Sequence, residues 1–164
     1  MTKEIVQIGE KVLRETAKEV PQGDITSPAI KKVISNMKEA LASRDDGVAI
    51  AAPQIGVSLR IFVVSGKVFT KEGEERKPDE TFINPVISKL SRNTENMEEG
   101  CLSVHGVFGT IKRHEKATVT AYNEEGKKVM KGGSGLLAQI FQHETDHLDG
   151  TLFVDKAHEL VDGE

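Results

Sequence analysis

Residues 142–147 contain the pattern H-E-x-x-H, which constrains this chain more than any other feature of its sequence. Residues four apart lie on one face of a helix, so His143 and His147 can point at one metal ion. Glu144 follows His143 directly and is then near enough to reach water at that ion. The opposing interpretation is a polar helix that carries two surface histidines.

The residues around this pattern predict a helix whose histidines continue its apolar side. Ser134 is a candidate N-cap, and Gly150 is of the kind found just after helix ends. One helical stripe has members spaced four, three and four residues apart: Leu136, Ile140, His143 and His147. Because two buried imidazoles need a polar partner and a metal ion supplies one, the pattern indicates a metal-binding helix.

A catalytic metal site usually takes three ligands from the protein and leaves a position open for water. The other candidate ligands are Cys101, His105, His114, His158 and the adjacent pair Glu98 and Glu99. Cys101 is the only cysteine, which excludes an intramolecular disulfide and leaves the functions of ligand, nucleophile or small core residue. Gly100 beside it lets the backbone approach whatever the sulfur contacts. Spacing favours Cys101 over His105 as the third ligand, and it does not exclude that Cys101 is a small core residue.

Three segments resemble the signature motifs of the peptide deformylase family. They read G-V-A-I-A-A-P-Q at residues 47–54, E-G-C-L-S at residues 99–103 and Q-H-E-T-D-H-L-D-G at residues 142–150. They occur in the order of the family, and the resemblance covers nearly the whole chain. It implies that Cys101, His143 and His147 bind the metal ion. That ion is usually Fe(II) in the native bacterial enzyme, and Zn(II), Ni(II) or Co(II) can substitute.

The same resemblance implies a reaction and the residues that carry it out. The substrate is the formyl amide on the N-terminal methionine of a nascent polypeptide, and the reaction is its hydrolysis. Glu144 is implied to be the general acid/base, while Gln54 and the backbone N–H of Leu102 are implied to stabilise the oxyanion. The positions that match the substrate site of the family are Gly47, Val48, Ala49, Gly100, Leu136, Gln139 and Ile140. A largely apolar pocket suits a thioether, and the rest of the peptide is expected to pair as an added strand.

Two residues depart from the pattern of the family. Ala49 stands where a second glycine is usual, so its methyl group either crowds the substrate edge or is tolerated on a strand with ordinary negative φ. His105 stands where proline is common, and we expect a solvent-facing loop histidine there in preference to a residue that contacts substrate or supports one that does. Arg113 matches a basic position common after the second motif, and we expect a structural role for it in preference to contact with substrate.

The order of predicted elements favours an α+β fold with largely antiparallel sheets packed around the C-terminal H-E-x-x-H helix. Residues 9–19 predict a short helix with Val12, Leu13 and Ala17 on one side. A second helix is predicted from Ser27 as N-cap, with Pro28 in its first turn, to a point before residue 45. Strands are predicted at residues 59–65 and 81–90, the latter with a bulge or edge at its proline. A hairpin is predicted at residues 117–131, and a charged, mobile loop at residues 66–80.

Composition agrees with one enzyme domain spanning residues 1–164. The formal net charge of −4 gives no basic footprint for nucleic acid, so any proximity to the ribosome is expected to be transient. No signal core or membrane span is visible, and a lone thiolate cysteine suits a reducing compartment. We therefore expect a cytoplasmic monomer.

Three rival interpretations stay open. A structural zinc module that binds a protein partner would need a fourth protein ligand and is commonly richer in cysteine. A metallopeptidase would ordinarily take its third ligand downstream, where the candidates are His158 and Glu159. A deformylase-like paralogue would keep the metal but have lost or altered activity through Ala49 or His105.

Overall fold

The computed structural model describes residues 4–162, which form two antiparallel sheets and three α-helices. The first sheet contains, in spatial order, β1 (Ala49–Ala51), β2 (Ile61–Val64), β3 (Glu80–Leu90), β6 (Lys116–Tyr122) and β7 (Lys128–Ser134). The second contains β4 (Thr94–Cys101), β5 (Val104–His114) and β8 (His158–Asp162). The helices are α1 (Pro28–Ala42), α2 (Leu136–Leu148) and α3 (Phe153–Lys156). The predicted α+β class with antiparallel sheets is confirmed, whereas residues 1–3 and 163–164 of the predicted domain lie outside the described part.

The first sheet is apolar on both faces because successive side chains of a strand point in opposite directions. Ile61 and Val63 of β2 pack with α1, while Phe62 and Val64 pack on the side of α2. The ring of Phe82 lies 4.9 Å from that of Phe62 and 5.4 Å from that of Phe141 on α2. Helix α2 also contacts β5 of the second sheet, so it is buried between the two sheets.

Helix α1 begins as its sequence predicts. The Ser27 side chain accepts a hydrogen bond from the Ile30 N–H at 3.4 Å, and Pro28 occupies the first turn, where no N–H is needed. The apolar residues spaced along the predicted helix are buried: Ile30, Val33, Ile34, Met37 and Leu41.

The prediction that Ser134 caps α2 is wrong. Ser134 is the last residue of β7 and is paired with Lys116, so its backbone belongs to the strand ladder. The N-cap is Gly135, whose φ of 58° turns the chain from strand to helix without a side-chain cap. The other end of the helix follows the prediction, because Gly150 lies just beyond it with a φ of 79°.

The predicted helix at residues 9–19 is reduced to a 3-10 helix at Lys11–Arg14. The chain is extended from Glu15, and the N–H of Ala17 donates to the carbonyl of Leu148. Tertiary hydrogen bonds therefore replace the helical ones, although Leu13 and Ala17 are buried as expected.

The remaining predicted elements are confirmed with small shifts. The proline of β3 lies at a register shift between Ile83 and Val86 and marks a bulge, since β3 is an inner strand. Strands β6 and β7 form the predicted hairpin, and the charged loop contains a 3-10 helix at Gly66–Phe69. Two further 3-10 helices lie at Gln22–Asp24 and Ala52–Ile55. No helix among residues 4–162 is both long and apolar enough to cross a membrane.

Candidate metal centre and active site

A cysteine and two histidines converge where β4 ends against α2. Cys101 is the last residue of β4, and His143 and His147 lie one turn apart on α2. Their candidate ligand atoms all lie within 4.8 Å of one another, and Cys101 Sγ is 3.1 Å from His147 Nε2. Two N–H groups face the sulfur, from the backbone of Ser103 at 3.4 Å and from the amide of Gln54 at 3.7 Å. These three side chains could together hold a metal ion.

The other histidines of the predicted ligand set do not join this group. His114 Nδ1 contacts the carbonyl of Ser91 at 2.6 Å, and His158 is exposed on β8. His105 is exposed as expected, but it lies on β5 and not in a loop, and its Nδ1 is 3.4 Å from Arg44 Nη2. Among the described residues, the group that could hold a metal ion is therefore Cys101, His143 and His147.

Glu99 contacts His143 on the Nδ1 side of its ring. His143 Nδ1 donates to Glu99 Oε2 at 2.6 Å, which turns Nε2 of the same ring towards Cys101 and His147. Gln139 Nε2 also donates to Glu99, at 3.1 Å. Sequence reasoning considered Glu99 only as a possible metal ligand and missed this function. The period of two along a strand was the available signal, because it places Glu99 and Cys101 on one face of β4.

Arg113 holds Glu99 in place and has no contact with the cleft. Its guanidinium donates to both carboxylate oxygens of Glu99, at 3.0 and 2.6 Å, and to Asp146 at 2.8 Å. Only 3% of the Arg113 side chain is exposed. Lys156 also reaches Asp146, at 3.2 Å. The expected structural role of Arg113 is thus confirmed.

These contacts change the protonation equilibria of the metal-free site. Burial by itself raises the pKa of Glu99, but hydrogen bonds from His143 and Arg113 outweigh it and lower the pKa to about 2. Burial lowers the pKa of His143, while hydrogen bonds to Cys101 and Glu99 raise it well above its ordinary value. Burial and the charge of His143 lower the pKa of His147. For Glu144, burial is the largest effect and raises the pKa to about 7.

Gln54 contacts the cysteine, and Leu102 follows it in the chain. Gln54 belongs to the 3-10 helix after β1, and its Oε1 accepts the N–H of Ala51 at 2.9 Å. Its Nε2 donates to Ser103 Oγ at 3.1 Å and faces Cys101. Leu102 follows Cys101 in the turn between β4 and β5.

A cleft of about 290 Å³ opens beside these groups. It is lined by all seven residues predicted to contact substrate: Gly47, Val48, Ala49, Gly100, Leu136, Gln139 and Ile140. It is also lined by the groups with predicted chemistry, apart from His147: Gln54, Leu102, Cys101, His143 and Glu144. Sequence reasoning missed Phe108, which lines the cleft with 44% of its surface exposed.

The Phe108 ring also explains why residue 100 is a glycine, and this explanation differs from the expected one. A Cβ at Gly100 would lie 2.8 Å from the Phe108 ring, so the glycine makes room for that ring. Neither departure from the family pattern displaces a candidate ligand. Ala49 has no positive φ and is 6% exposed within the apolar cluster on the side of α2. The backbone N–H of His105 donates to Gln7 Oε1 at 3.2 Å, a bond that proline could not make.

An antiparallel α+β fold with a cysteine, two histidines and a buried carboxyl group at one cleft defines a candidate metal-dependent hydrolase. The polypeptide deformylase family matches residues 2–162, and the chain belongs to that family. It is an enzyme that removes the N-terminal formyl group of nascent polypeptides.

Individual relatives agree with the family match. The peptide deformylase of Desulforudis audaxviator is 44% identical over 154 residues, which are 94% of this chain and 92% of that protein. The peptide deformylase structure from Legionella pneumophila has a TM-score of 0.83 at 36% identity and covers 97% of this chain and 88% of its own. The Acinetobacter baumannii class I type b enzyme, solved with Met-Ala-Ser bound, has a TM-score of 0.84 at 30% identity, with coverages of 95% and 99%.

Proposed function

We propose that Cys101, His143 and His147 hold the catalytic metal ion and that Glu144 is the general acid/base of formyl hydrolysis. The observation that carries this proposal is the convergence of these three ligand atoms beside a buried carboxylate in a cleft. Glu144 Oε1 is buried and has no hydrogen-bond partner, which suits an oxygen that faces reactants. Glu99 accepts a hydrogen bond from the Nδ1–H of His143, so Nε2 of that ring is free to be a ligand.

Fe(II) is the proposed native ion, with Zn(II), Ni(II) or Co(II) as substitutes. When bound, such an ion supplies Lewis acidity, which lowers the pKa of water and polarises a carbonyl group. A thiolate donates more charge than a third imidazole would, and both iron and zinc accept this set of ligands. The proposal of iron therefore rests on membership of the family.

Glu144 moves the proton in the proposed mechanism. A carboxylate whose pKa is about 7 can accept the proton of the attacking water and later release it to the leaving amine. His143 Nε2 lies 3.9 Å from Glu144 Oε2, so the base is adjacent to the proposed ligands without being one. The products are formate and a peptide with a free methionine amine.

The oxyanion that develops on the formyl oxygen needs hydrogen-bond donors. We propose the amide of Gln54, which faces Cys101, and the backbone N–H of Leu102, the next residue in the chain. A donor of this kind contributes about 3 kcal/mol to the transition state in comparable sites. Gln54 is well held for this purpose, because its Oε1 is bonded to Ala51 and its side chain is buried.

The substrate is proposed to be the start of a formyl-methionyl polypeptide. The methionine side chain would pack among Val48, Leu136 and Ile140, all of which line the cleft. Strand β1 is an edge strand of its sheet, so the peptide can add beside residues 47–49 through backbone hydrogen bonds. The bound Met-Ala-Ser of the related Acinetobacter baumannii enzyme supports a peptide with this start.

We further propose that residues 1–164 form one domain that works as a cytoplasmic monomer. It would meet nascent chains by transient proximity to the ribosome, without sequence-specific binding of nucleic acid and without a membrane as partner. The net charge of −4 supports the absence of a basic surface for ribosomal RNA.

The test compares hydrolysis of formyl-Met-Ala-Ser and acetyl-Met-Ala-Ser by Fe(II)- or Ni(II)-loaded protein. We expect formyl-selective turnover, and Glu144→Gln should keep its metal while kcat falls at least ~100-fold. Glu125→Gln, an exposed position of the β6–β7 turn, is the matched control. Full activity in metal-loaded Glu144→Gln would refute the assignment of the base, and equal turnover of both peptides would refute the substrate.

A further inference from the structure

Residues 6–8 are joined by hydrogen bonds to both sides of the candidate oxyanion site. The N–H of Val6 donates to the carbonyl of Gln54 at 2.7 Å, and the N–H of Ile8 donates to the carbonyl of Ser103 at 2.7 Å. Between them, Gln7 Nε2 donates to the carbonyl of Leu102 at 2.9 Å. Gln7 Oε1 accepts the N–H of His105 at 3.2 Å.

These bonds fix a turn that has little regular structure of its own. Residues 102 and 103 connect β4 and β5, at a point where the pairing of the two strands shifts register. The Gln7 side chain spans this turn, because it binds the carbonyl of Leu102 in the turn and the N–H of His105 in β5. Ser103 links the turn to Gln54 through its hydroxyl group at 3.1 Å. The N-terminal segment therefore fixes the two backbone regions that carry the proposed oxyanion donors relative to each other.

We propose that Gln7 is a positioning residue for the deformylase reaction, acting through its hydrogen bond to the Leu102 carbonyl. This inference rests on the proposed function of Leu102 and Gln54 as oxyanion donors. The hydrogen bond to Gln7 holds the peptide plane between Leu102 and Ser103, and it restrains the adjacent plane, which carries the Leu102 N–H, through the φ and ψ angles of Leu102. Gln7 itself is absent from the lining of the cleft, so any effect on turnover passes through the residues that its side chain binds, Leu102 and His105.

The kinetic signature follows from when the donors are needed. Negative charge develops on the formyl oxygen only in the transition state, whereas contacts of the methionine side chain exist already in the bound substrate. Loosening the turn should therefore lower kcat and leave KM and product affinity nearly unchanged. A general loss of structure would instead change the affinity, the metal content or the unfolding midpoint as well.

Two variants separate the two bonds of Gln7. Gln7→Met has a similar length and loses both hydrogen bonds. Gln7→Glu keeps an acceptor for the N–H of His105 but cannot donate to the Leu102 carbonyl. Gln22→Met, at an exposed glutamine that does not line the cleft, is the matched control.

The experiment measures kcat and KM for formyl-Met-Ala-Ser, the Kd of Met-Ala-Ser, metal content and amide hydrogen exchange. In both Gln7 variants we expect kcat to fall about tenfold, less than for outright loss of an oxyanion donor. KM and Kd should stay within about twofold, and the amides of residues 102 and 103 should exchange faster. The control should match the wild type in every measurement.

Other results would overturn the inference. A wild-type kcat in Gln7→Met would remove any role of this side chain in turnover. A wild-type kcat in Gln7→Glu alone would assign the effect to the bond from His105 and contradict the role of the Leu102 carbonyl. Absence of formyl-selective turnover in the wild type would instead refute the proposed function, and hydrogen exchange would still report whether Gln7 holds the turn.

Discussion

Arg113 provides a demanding test of the buried network behind His143, because one guanidinium joins carboxylates on β4 and α2. Arg113→Met keeps much of the apolar length of the side chain and removes its charge and all its donors. Glu99 would then be left with the hydrogen bonds from His143 and Gln139. A buried carboxylate that loses its main cation is strongly destabilising, since desolvation is no longer compensated.

Two estimates of the loss can be compared. Removing one partner of a buried ion pair typically costs about 3–5 kcal/mol. The pKa of Glu99 falls from an ordinary 4.5 to about 2, and this shift corresponds to about 3 kcal/mol of folding free energy. Part of this second value comes from His143, which also lowers the pKa of Glu99. We therefore expect Arg113→Met to lower the free energy of unfolding by about 3 kcal/mol, a large fraction of the usual stability of a domain.

The assay is urea unfolding of the metal-free protein, because a metal ion bound only to the native state would add its own stabilisation. Far-ultraviolet circular dichroism suits a chain that has no tryptophan. Arg113→Lys keeps a positive charge, but one ammonium group cannot bind both carboxylate oxygens of Glu99 and Asp146 at the same time. Its free energy of unfolding should fall by about 1–2 kcal/mol. The double variant Arg113→Met with Glu99→Gln should be more stable than Arg113→Met alone, since it lacks the unpaired charge.

A loss below about 1 kcal/mol in Arg113→Met would show that Glu99 does not depend on this cation. A double variant no more stable than Arg113→Met would show that the loss came from packing, not from an uncompensated charge.

Three further predictions concern neighbouring residues. In Co(II)-substituted protein, Cys101→Ser should abolish the near-ultraviolet thiolate charge-transfer band, and survival of that band would contradict sulfur ligation. Ala49→Gly should lower the free energy of unfolding by about 1 kcal/mol, because a buried methyl is lost and the unfolded chain gains freedom. Its kcat/KM for formyl-Met-Ala-Ser should stay within about twofold of the wild type, and a tenfold rise would show that the methyl obstructs the peptide. Since the pKa of Glu99 is lower in the folded state, its contribution is present above an ordinary pKa of 4.5 and is lost as pH falls towards about 2. The stability of metal-free Glu99→Gln should accordingly fall less than that of the wild type between pH 5 and about 2, and parallel curves would contradict this origin.

Much of the site could be predicted because its residues lie in local patterns. The four-residue spacing places His143 and His147 on one helix face wherever that helix packs. Ser27 and Pro28 begin α1 through bonds and sterics within one turn of chain. The three motifs identified the family and, with it, seven of the residues that line the cleft.

Contacts between distant segments could be known only from the tertiary structure. Glu99 meets His143 across 44 positions because the second sheet packs against α2. Gln7 meets Leu102 across 95 positions because residues 6–8 are hydrogen-bonded to Gln54 and Ser103. Tertiary hydrogen bonds also overrode two local predictions. Ser134 pairs with β6 as the last residue of β7 and therefore does not cap α2. The chain around Ala17 is extended and not helical, because its N–H donates to the carbonyl at the end of α2. Sequence patterns specify which groups a short segment presents, whereas pairing across the chain depends on hydrogen bonds and burial that exist only once the sheets have formed.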